Sequence, residues 1–213
     1  MRASLPDQRL MQTTSGVDYY HWNYKFPIKY IQRFRFNAML RLINGRNFGT
    51  LLEVGTGSGI FLPELSKHCQ ALFAIDVHDK MDAVKRLCDA TDIKADLSRQ
   101  SLEATHFKNE TFDAVVAVSV WEFVDELETA VLETKRIMKS GASLFTICPQ
   151  RNALLDFIVS LYSRIPANQE FKNGPDVIRA MLEKHFVVEK KYFFPPAIGR
   201  FFPLYHYHEL RKK

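Results

Sequence analysis

The chain has little cysteine and no long uninterrupted apolar run. Its three cysteines, Cys69, Cys88 and Cys148, stand far apart without CxxC spacing, which favours reduced thiols over disulfides or a zinc site. No apolar stretch is long enough to span a bilayer, since even the run over 153–162 contains Asp156. The N-terminus also lacks the hydrophobic centre of a signal peptide. These absences predict a cytoplasmic protein without a bound metal.

The chain also has little excess charge of either sign. Its 29 Lys and Arg residues against 24 Asp and Glu residues give a formal charge of +5, which does not by itself indicate nucleic-acid binding. Much of the basic excess lies at 25–41 and 211–213, and Lys25, Lys29 and Arg33 give a predicted helix one basic face. That face suits an anionic lipid surface, although a solvated face on a packed helix is the commoner meaning.

The most informative feature lies at 51–60, where the apolar strand Leu-Leu-Glu-Val runs into Gly-Thr-Gly-Ser-Gly-Ile. Gly55, Gly57 and Gly59 permit positive φ and leave no Cβ between the backbone and a ligand. A helix predicted over 60–68 would offer its first N–H groups to the same ligand. A turn that merely packs is the less favoured alternative, because three alternating glycines weaken a turn that nothing must approach.

The spacing and charge of this glycine loop indicate the kind of ligand. A dinucleotide fingerprint, GxGxxG, would place its third glycine at position 60, where the chain has Ile60. Glu53, just before the first glycine, would repel a pyrophosphate and pair with a cationic ligand that carries an amino group. The loop therefore favours a cationic ligand over a nucleotide diphosphate.

Strands and helices alternate along the rest of the chain, which predicts an α/β fold with a mostly parallel sheet. The predicted strands cover 50–54, 71–76, 93–95, 112–119 and 143–148. The predicted helices cover 79–90, 125–139, 153–164 and 175–185. Gly141 is expected to end the second of these helices as a left-handed cap. Two β-rich runs, 186–194 and 204–210, are expected to form an antiparallel C-terminal hairpin.

The motif from Glu53 to Gly59 resembles the first motif, (E/D)xGxGxG, of the class I S-adenosylmethionine-dependent methyltransferases. The resemblance extends from about residue 19 to 148 and includes 132–141, similar to the family's LxExxRVLKPGG. It implies a Rossmann-like, doubly wound, seven-stranded sheet whose antiparallel last strand inserts beside strand five. It also implies S-adenosylmethionine as the cofactor, whose ammonium and sulfonium suit Glu53.

The organisation expected from this resemblance is a single domain over 1–213. Its 46% hydrophobic residues can bury one core, and nothing in the chain resembles a linker. Residues 1–48 would form an N-terminal extension and lid, and 49–150 the cofactor-binding core. Residues 151–213 would supply substrate-side helices and the C-terminal hairpin.

The resemblance further implies which residues hold the cofactor. Asp76, at the end of strand two, would accept the ribose hydroxyls, with Val77 against the adenine. Asp96 would accept the adenine amino group, while the backbone at Val118 and Ser119 would face the methionine part. Both aspartates could instead cap the helices that follow them. The predicted cofactor-binding residues are Glu53, Gly55, Thr56, Gly57, Gly59, Asp76, Val77, Asp96, Leu97, Val118 and Ser119.

Catalytic side chains are less clearly indicated. After strand four the family pattern usually has a histidine where this chain has Phe123, which removes one general base. Glu122 is a candidate base, although an exposed glutamate at a helix start is the commoner interpretation. His206, on the same strand face as His208, is a candidate for substrate contact, with ordinary strand packing as the alternative.

An aromatic cluster at 19–26 gives the remaining candidates. In the resembling enzymes a segment here folds over the cofactor, so Tyr19, Tyr20, His21 and Tyr24 are candidates for contact with cofactor or acceptor. The alternative is that these side chains attach the extension to the core.

Together these features predict a methyltransferase that acts on a small-molecule acceptor by direct in-line transfer, which needs positioning more than a nucleophile. The acceptor is expected to be phenolic, quinone-like or lipid-like. Nucleic acid is not expected, because strand four lacks the Asn/Asp-Pro-Pro-aromatic motif of the enzymes that methylate it. The alternatives are a non-catalytic S-adenosylmethionine-binding partner or sensor and, disfavoured by the glycine spacing, a nicotinamide-dependent oxidoreductase.

Overall fold

The structure is a computed structural model that describes residues 3–16, 18, 20–26, 29–150, 171–194 and 203–213. The predicted helix over 153–164 and the candidate Tyr19 lie outside the described residues. Among the residues described, no helix combines the length and apolar character needed to cross a membrane.

Seven strands form a single sheet in the described part of the chain. They are β1 Phe48–Val54, β2 Cys69–Asp76, β3 Ala95–Arg99, β4 Phe112–Val118, β5 Met138–Pro149, β6 Val187–Phe194 and β7 Tyr205–Arg211. Their order is β3-β2-β1-β4-β5-β7-β6, with β1 to β5 paired in parallel and β7 antiparallel to both β5 and β6. The predicted mostly parallel sheet, with the last strand beside strand five, is confirmed.

Helices cover both faces of this sheet. They are α1 Lys29–Ile43, α2 Leu62–Leu65, α3 Met81–Ala90, α4 Leu127–Ile137 and α5 Pro175–His185. The first three pack in one apolar cluster on one face, and the last two in a second cluster on the other. Helix α5 matches its predicted bounds because Pro175 is tolerated in the first turn, where N–H groups lack helical partners. Its Ile178 and Leu182, four residues apart, are both buried.

Strand β4 lies between β1 and β5, and Ala114, Val115, Val116 and Ala117 are all fully buried. This confirms the prediction of a central strand from a continuous apolar run, since both faces of a parallel sheet are covered by helices.

Gly141 does not end a helix as predicted. Helix α4 already ends at Ile137, and β5 begins at the next residue, where Met138 pairs with Phe112 of β4. Both Ile137 and Met138 are fully buried, so the chain passes from helix to sheet without an exposed loop. Gly141 has a positive φ of 73° inside β5, near the register irregularity of the β4–β5 pair.

Candidate functional site

A cavity of about 650 Å³ opens at the carboxyl ends of β1, β2 and β4. Because β3 and β2 lie on one side of β1 and β4 lies on the other, this edge is a topological switch point, where α/β sheets bind ligands. The loops after these strands line the cavity together with the N-terminal extension, α1 and the start of β7. The cavity volume is in the range of small-molecule sites.

Two glycines of the loop after β1 have different roles. A Cβ at Gly55 would lie 2.5 Å from Val120 Cγ2, so this glycine lets the loop pack closely against the segment after β4. A Cβ at Gly57 would meet no atom closer than Asp18 Oδ1 at 3.7 Å. Gly57 lines the cavity with a positive φ of 52°, so its missing side chain leaves room for a ligand against the backbone.

Gly59 is not among the lining residues, contrary to the prediction. A Cβ there would lie 2.8 Å from Val84 Cγ1, so Gly59 allows the loop to pack against α3. The predicted helix over 60–68 is also shorter, because α2 covers Leu62–Leu65 and a 3-10 turn follows. Binding at this loop therefore depends on the loop backbone and side chains, without a long helix behind it.

Glu53 lies on the cavity side of β1 and is almost completely buried. Thr56 Oγ1 donates a hydrogen bond of 2.8 Å to its Oε2. Burial raises the pKa of Glu53 to about 8, and the charge of Asp76 adds to the rise, while the Thr56 hydrogen bond opposes it. The carboxyl group is thus protonated at neutral pH, and a bound cation would favour its ionised form.

Asp76, at the end of β2, holds the glycine loop in place. Its Oδ2 accepts a hydrogen bond of 2.8 Å from the N–H of Gly57, and its Oδ1 accepts from the N–H of Val77 at 2.7 Å. A carboxylate has further lone pairs, so Asp76 can still accept hydrogen bonds from a ligand in the cavity. The helix-cap alternative is wrong, because α3 begins at Met81 with Lys80 as its N-cap residue.

His78 was not predicted, although it lines the cavity beside Asp76. Its Nε2 donates to the carbonyl oxygen of Gly57 at 2.9 Å, and its Nδ1 accepts from the N–H of Lys80 at 3.1 Å. It therefore connects the glycine loop to the segment after β2. The sequence gives one indication that His78 lies at the site, namely its position two residues after Asp76.

Asp96 and Leu97 do not line the cavity, contrary to the prediction. Strand three was expected to end at residue 95, but β3 runs to Arg99, which places Asp96 on the exposed side of the strand, paired with Phe73. No helix follows that Asp96 could cap, so that alternative is wrong as well. The residues after β3 that line the cavity are Gln100, Ser101, Leu102 and Glu103.

The N-terminal extension contributes Asp18, Tyr20, Trp22 and Asn23 to the cavity wall. Asp18 Oδ2 accepts hydrogen bonds from the N–H and the hydroxyl of Thr14, at 3.0 and 2.9 Å. Its Oδ1 accepts from Ser58 Oγ at 3.4 Å, which joins the extension to the glycine loop. No spacing pattern in the sequence identified Asp18.

Side chains of the aromatic cluster also form hydrogen bonds to the backbone earlier in the same N-terminal extension. Tyr24 Oη donates to the carbonyl oxygen of Pro6 at 2.6 Å, and Tyr20 Oη donates to that of Met11 at 3.4 Å. Tyr20 thus both lines the cavity and holds the extension, whereas Tyr24 and His21 are not among the lining residues. Burial lowers the pKa of His21.

On the β4 side, Val118, Ser119, Phe123, Phe171 and Tyr205 line the cavity. Ser119 has a positive φ of 56°, a conformation that costs energy in a residue with a side chain and is often found at functional sites. Its hydroxyl oxygen accepts a hydrogen bond of 3.2 Å from Arg35 Nη1. The Phe123 and Phe171 rings meet edge to face, with centroids 5.5 Å apart.

Comparison with known proteins shows that this chain is similar to methyltransferases. A family model described as a methyltransferase domain matches residues 52–146. The chain is 31% identical over 108 residues to phosphatidylethanolamine N-methyltransferase of Cereibacter sphaeroides, covering 49% of this chain and 52% of that protein. It is 26% identical over 139 residues to ubiquinone biosynthesis O-methyltransferase of Nitrosomonas europaea, covering 62% and 59% respectively. The chain thus spans little more than half the length of these two relatives.

A solved structure, the N-methyltransferase NodS of Bradyrhizobium japonicum WM9 in complex with S-adenosylhomocysteine, has the same fold. Its TM-score is 0.69 at 18% identity, and the match covers 96% of this chain and 97% of that one. The chain thus matches a methyltransferase domain over 52–146 and has the fold of an S-adenosylmethionine-dependent methyltransferase.

The residues that line the cavity fit S-adenosylmethionine, the cofactor of such methyltransferases. S-adenosylmethionine is cationic at its ammonium and sulfonium, and the loop side of the cavity carries the carboxyl groups of Asp18, Glu53, Asp76 and Glu103. The Gly57 backbone, which no side chain covers, provides a surface for close approach. A pyrophosphate would instead meet this concentration of acidic groups, which disfavours a nicotinamide dinucleotide.

Glu122 is buried and not exposed at a helix start, so the commoner interpretation offered above is wrong. It lies in the 3-10 turn Trp121–Phe123, with a side chain only 2% exposed. Neither carboxyl oxygen has a hydrogen-bond partner among the described residues. Burial raises the pKa of Glu122 to about 8, although its own backbone N–H and the nearby charge of Arg35 oppose the rise.

His206 is not among the residues that line the cavity. Tyr205 and Tyr207 of β7 face the α1 side of the sheet, and residues alternate along a strand, so His206 faces the α5 side. Its Nδ1 lies 3.2 Å from Gln150 Nε2, and its ring meets Phe193 edge to face at 4.6 Å. Burial lowers the pKa of His206 to about 4. These contacts fit the strand-packing alternative.

Proposed function

We propose that this methyltransferase transfers a methyl group from S-adenosylmethionine to a small-molecule acceptor held between Phe123, Phe171 and Tyr205. The observation that carries the proposal is the continuity of the cavity, in which these aromatic walls share one space with the glycine loop. The bound cofactor supplies a methyl group on a sulfonium, which is already an activated leaving group. The protein then needs to align the acceptor and exclude water.

We assign cofactor binding to the predicted residues that line the cavity and, in addition, to Asp18. Glu53 and Asp18 suit the cationic groups, and Asp76 suits the ribose hydroxyls. Val77, which is largely exposed, suits the adenine face. The remaining members of the set are Gly55, Thr56, Gly57, Val118 and Ser119.

The acceptor class follows from the β4 side of the cavity. Aromatic walls favour a partly apolar acceptor, consistent with the expected phenolic, quinone-like or lipid-like compound. Two relatives support such compounds by name, since one is a phosphatidylethanolamine methyltransferase and the other a methyltransferase of ubiquinone biosynthesis.

Calorimetric titration of the full chain with S-adenosylmethionine, S-adenosylhomocysteine and NAD tests the cofactor. We expect the two adenosyl sulfur compounds to bind and NAD to be silent, because of the acidic loop side. Acceptors are then screened by the S-adenosylhomocysteine that they release. Binding of NAD alone would contradict the proposal, and cofactor binding without turnover of any acceptor would favour the non-catalytic alternative.

A further inference from the structure

The charges that line the cavity are divided between its two sides. Asp18, Glu53 and Asp76 lie around the glycine loop, whereas the guanidinium of Arg35 lies beside Ser119 at the end of β4. The β4 side also carries Lys172 and Asp125, but these two form an ion pair with each other. Arg35, whose guanidinium donates to Ser119, is therefore the cation on this side that no described acidic residue pairs with directly.

Glu122 is close enough to Arg35 to feel its charge but does not neutralise it. No ion pair within 4.0 Å joins the two groups, and Glu122 is protonated at neutral pH because burial disfavours its charged form. Arg35 Nε is itself buried without a hydrogen-bond partner in the described part of the chain. Buried polar groups without partners are costly, so this unpaired donor, in a residue that lines the cavity, indicates a site that a ligand completes.

We propose that Arg35 binds an ionised oxygen of the acceptor, a phenol or enol hydroxyl held as its anion, and that Glu122 is a positioning residue that leaves the Arg35 charge available. The aromatic rings of Phe123, Phe171 and Tyr205 form the walls against which a flat conjugated acceptor packs. The inference rests on the proposed function and narrows its acceptor to O-methylation. A protonated amine would instead be repelled by Arg35.

The chemistry balances with this assignment. The acceptor hydroxyl loses its proton to water on binding as the anion. Its oxygen then forms the new O–C bond as the C–S bond of the sulfonium breaks, which leaves an ether and a thioether, both uncharged at the reacting atoms. The ether no longer carries the charge that Arg35 holds, so product release follows from the loss of that ion pair.

The test measures ligand binding to the full chain saturated with S-adenosylhomocysteine. The probes are 2,4-dinitrophenolate, its uncharged methyl ether 2,4-dinitroanisole, and benzylamine as a cation. We expect the phenolate to bind most tightly, and Arg35→Gln to weaken it about tenfold or more without changing the affinity for the methyl ether. Arg41→Gln, an exposed position on the same helix, is the matched control and should leave all affinities unchanged.

The role of Glu122 is tested by the pH dependence of phenolate binding. Above about pH 8 Glu122 ionises and competes for Arg35, so phenolate affinity should fall more steeply in the wild type than in Glu122→Gln. Glu53 also lines the cavity and has a pKa of about 8, but it is present in both proteins, so its effect cancels in the comparison. Tyr205 and Cys148 also lie near Glu122, but burial raises the pKa of each, so neither ionises in this window.

The outcomes separate the inference from the function on which it rests. Failure to bind S-adenosylhomocysteine would overturn the proposed function itself. With that ligand bound, the inference is overturned if the phenolate does not bind, if Arg35→Gln does not weaken it, or if benzylamine binds better. If Arg35→Gln fails to fold, two other measurements test the inference. One is phenolate binding to Arg35→Lys, which keeps the charge but loses the planar fork, and the other is the pH profile of Glu122→Gln.

Discussion

Replacing Glu53 with glutamine should stabilise the empty protein at high pH and weaken its cofactor binding. Burial raises the pKa of Glu53 to about 8, from 4.5 for an exposed glutamate. Between these two values the folded state keeps a proton that the unfolded state has lost. The Glu53 contribution to stability is therefore fully present below about pH 4.5 and is lost as the pH rises through about 8.

The size of this effect follows from the pKa. At about 1.36 kcal/mol per pKa unit, the rise of the Glu53 pKa from 4.5 to about 8 changes the free energy of unfolding by at most about 5 kcal/mol. Glutamine resembles the protonated carboxyl and does not titrate. The quantity to compare is the free energy of unfolding of Glu53→Gln minus that of the wild type. This difference should be about 3–5 kcal/mol larger at pH 9 than at pH 4.5.

Urea unfolding of the wild type and Glu53→Gln between pH 4.5 and 9 measures the difference. Glu122 is buried in the same way, but it is present in both proteins, so its contribution cancels. Glu126→Gln, at an exposed position, is the control. S-adenosylmethionine should bind Glu53→Gln about tenfold more weakly at pH 8, since a carboxylate pairs with a cation and an amide does not. A pH-independent stability difference would refute the buried-carboxyl assignment.

Three further substitutions test the site and its support. Gly57→Val should abolish cofactor binding and keep a cooperative unfolding transition, whereas Gly174→Ala, where a Cβ meets open space, should bind normally in calorimetry. Asp76→Ala removes the acceptor for the Gly57 and Val77 N–H groups, so cofactor affinity should fall at least about tenfold in the same titration. Trp121→Phe loses the buried 2.8 Å hydrogen bond from Nε1 to Thr146, which should lower the free energy of unfolding by about 1–3 kcal/mol in urea without changing cofactor affinity.

The glycine loop and Asp76 could be predicted because their roles depend on local backbone requirements. A strand that ends in alternating glycines restricts what the loop can do, and the next strand of a parallel sheet ends beside it. Gly59 shows the limit of this reasoning. Its contact with Val84 depends on how α3 packs, which the spacing of three glycines does not specify.

Asp96 was misplaced because β3 is an edge strand. Its half-buried residues alternate with exposed ones from Ile93 to Leu97, so its apolar pattern is weak and its end is poorly defined. The prediction ended the strand at residue 95, four residues before its end in the structure. Because the strand ends later than predicted, the side chains on that side of the cavity are those after Arg99 and not Asp96 and Leu97.

Asp18, Arg35 and the burial of Glu122 depend on contacts between distant parts of the chain. Arg35 meets Ser119 across 84 positions, and the backbone N–H groups of Lys172 and Asn173 donate to the carbonyl of Glu122. Hydrophobic periodicity identifies which face of a helix is buried, but it does not indicate which polar residue lies at the end of a particular strand. These residues therefore required the structure.

Phe123 replaces the family's usual histidine, yet it does not by itself favour a non-catalytic protein. Its ring packs against Phe171 and lines the cavity, so it has a role in shaping the acceptor side. A general base at this position would be needed for a neutral hydroxyl that must lose its proton during transfer. If Arg35 holds the acceptor as an anion, that proton is already gone, and an apolar wall that excludes water serves the transfer better than a base.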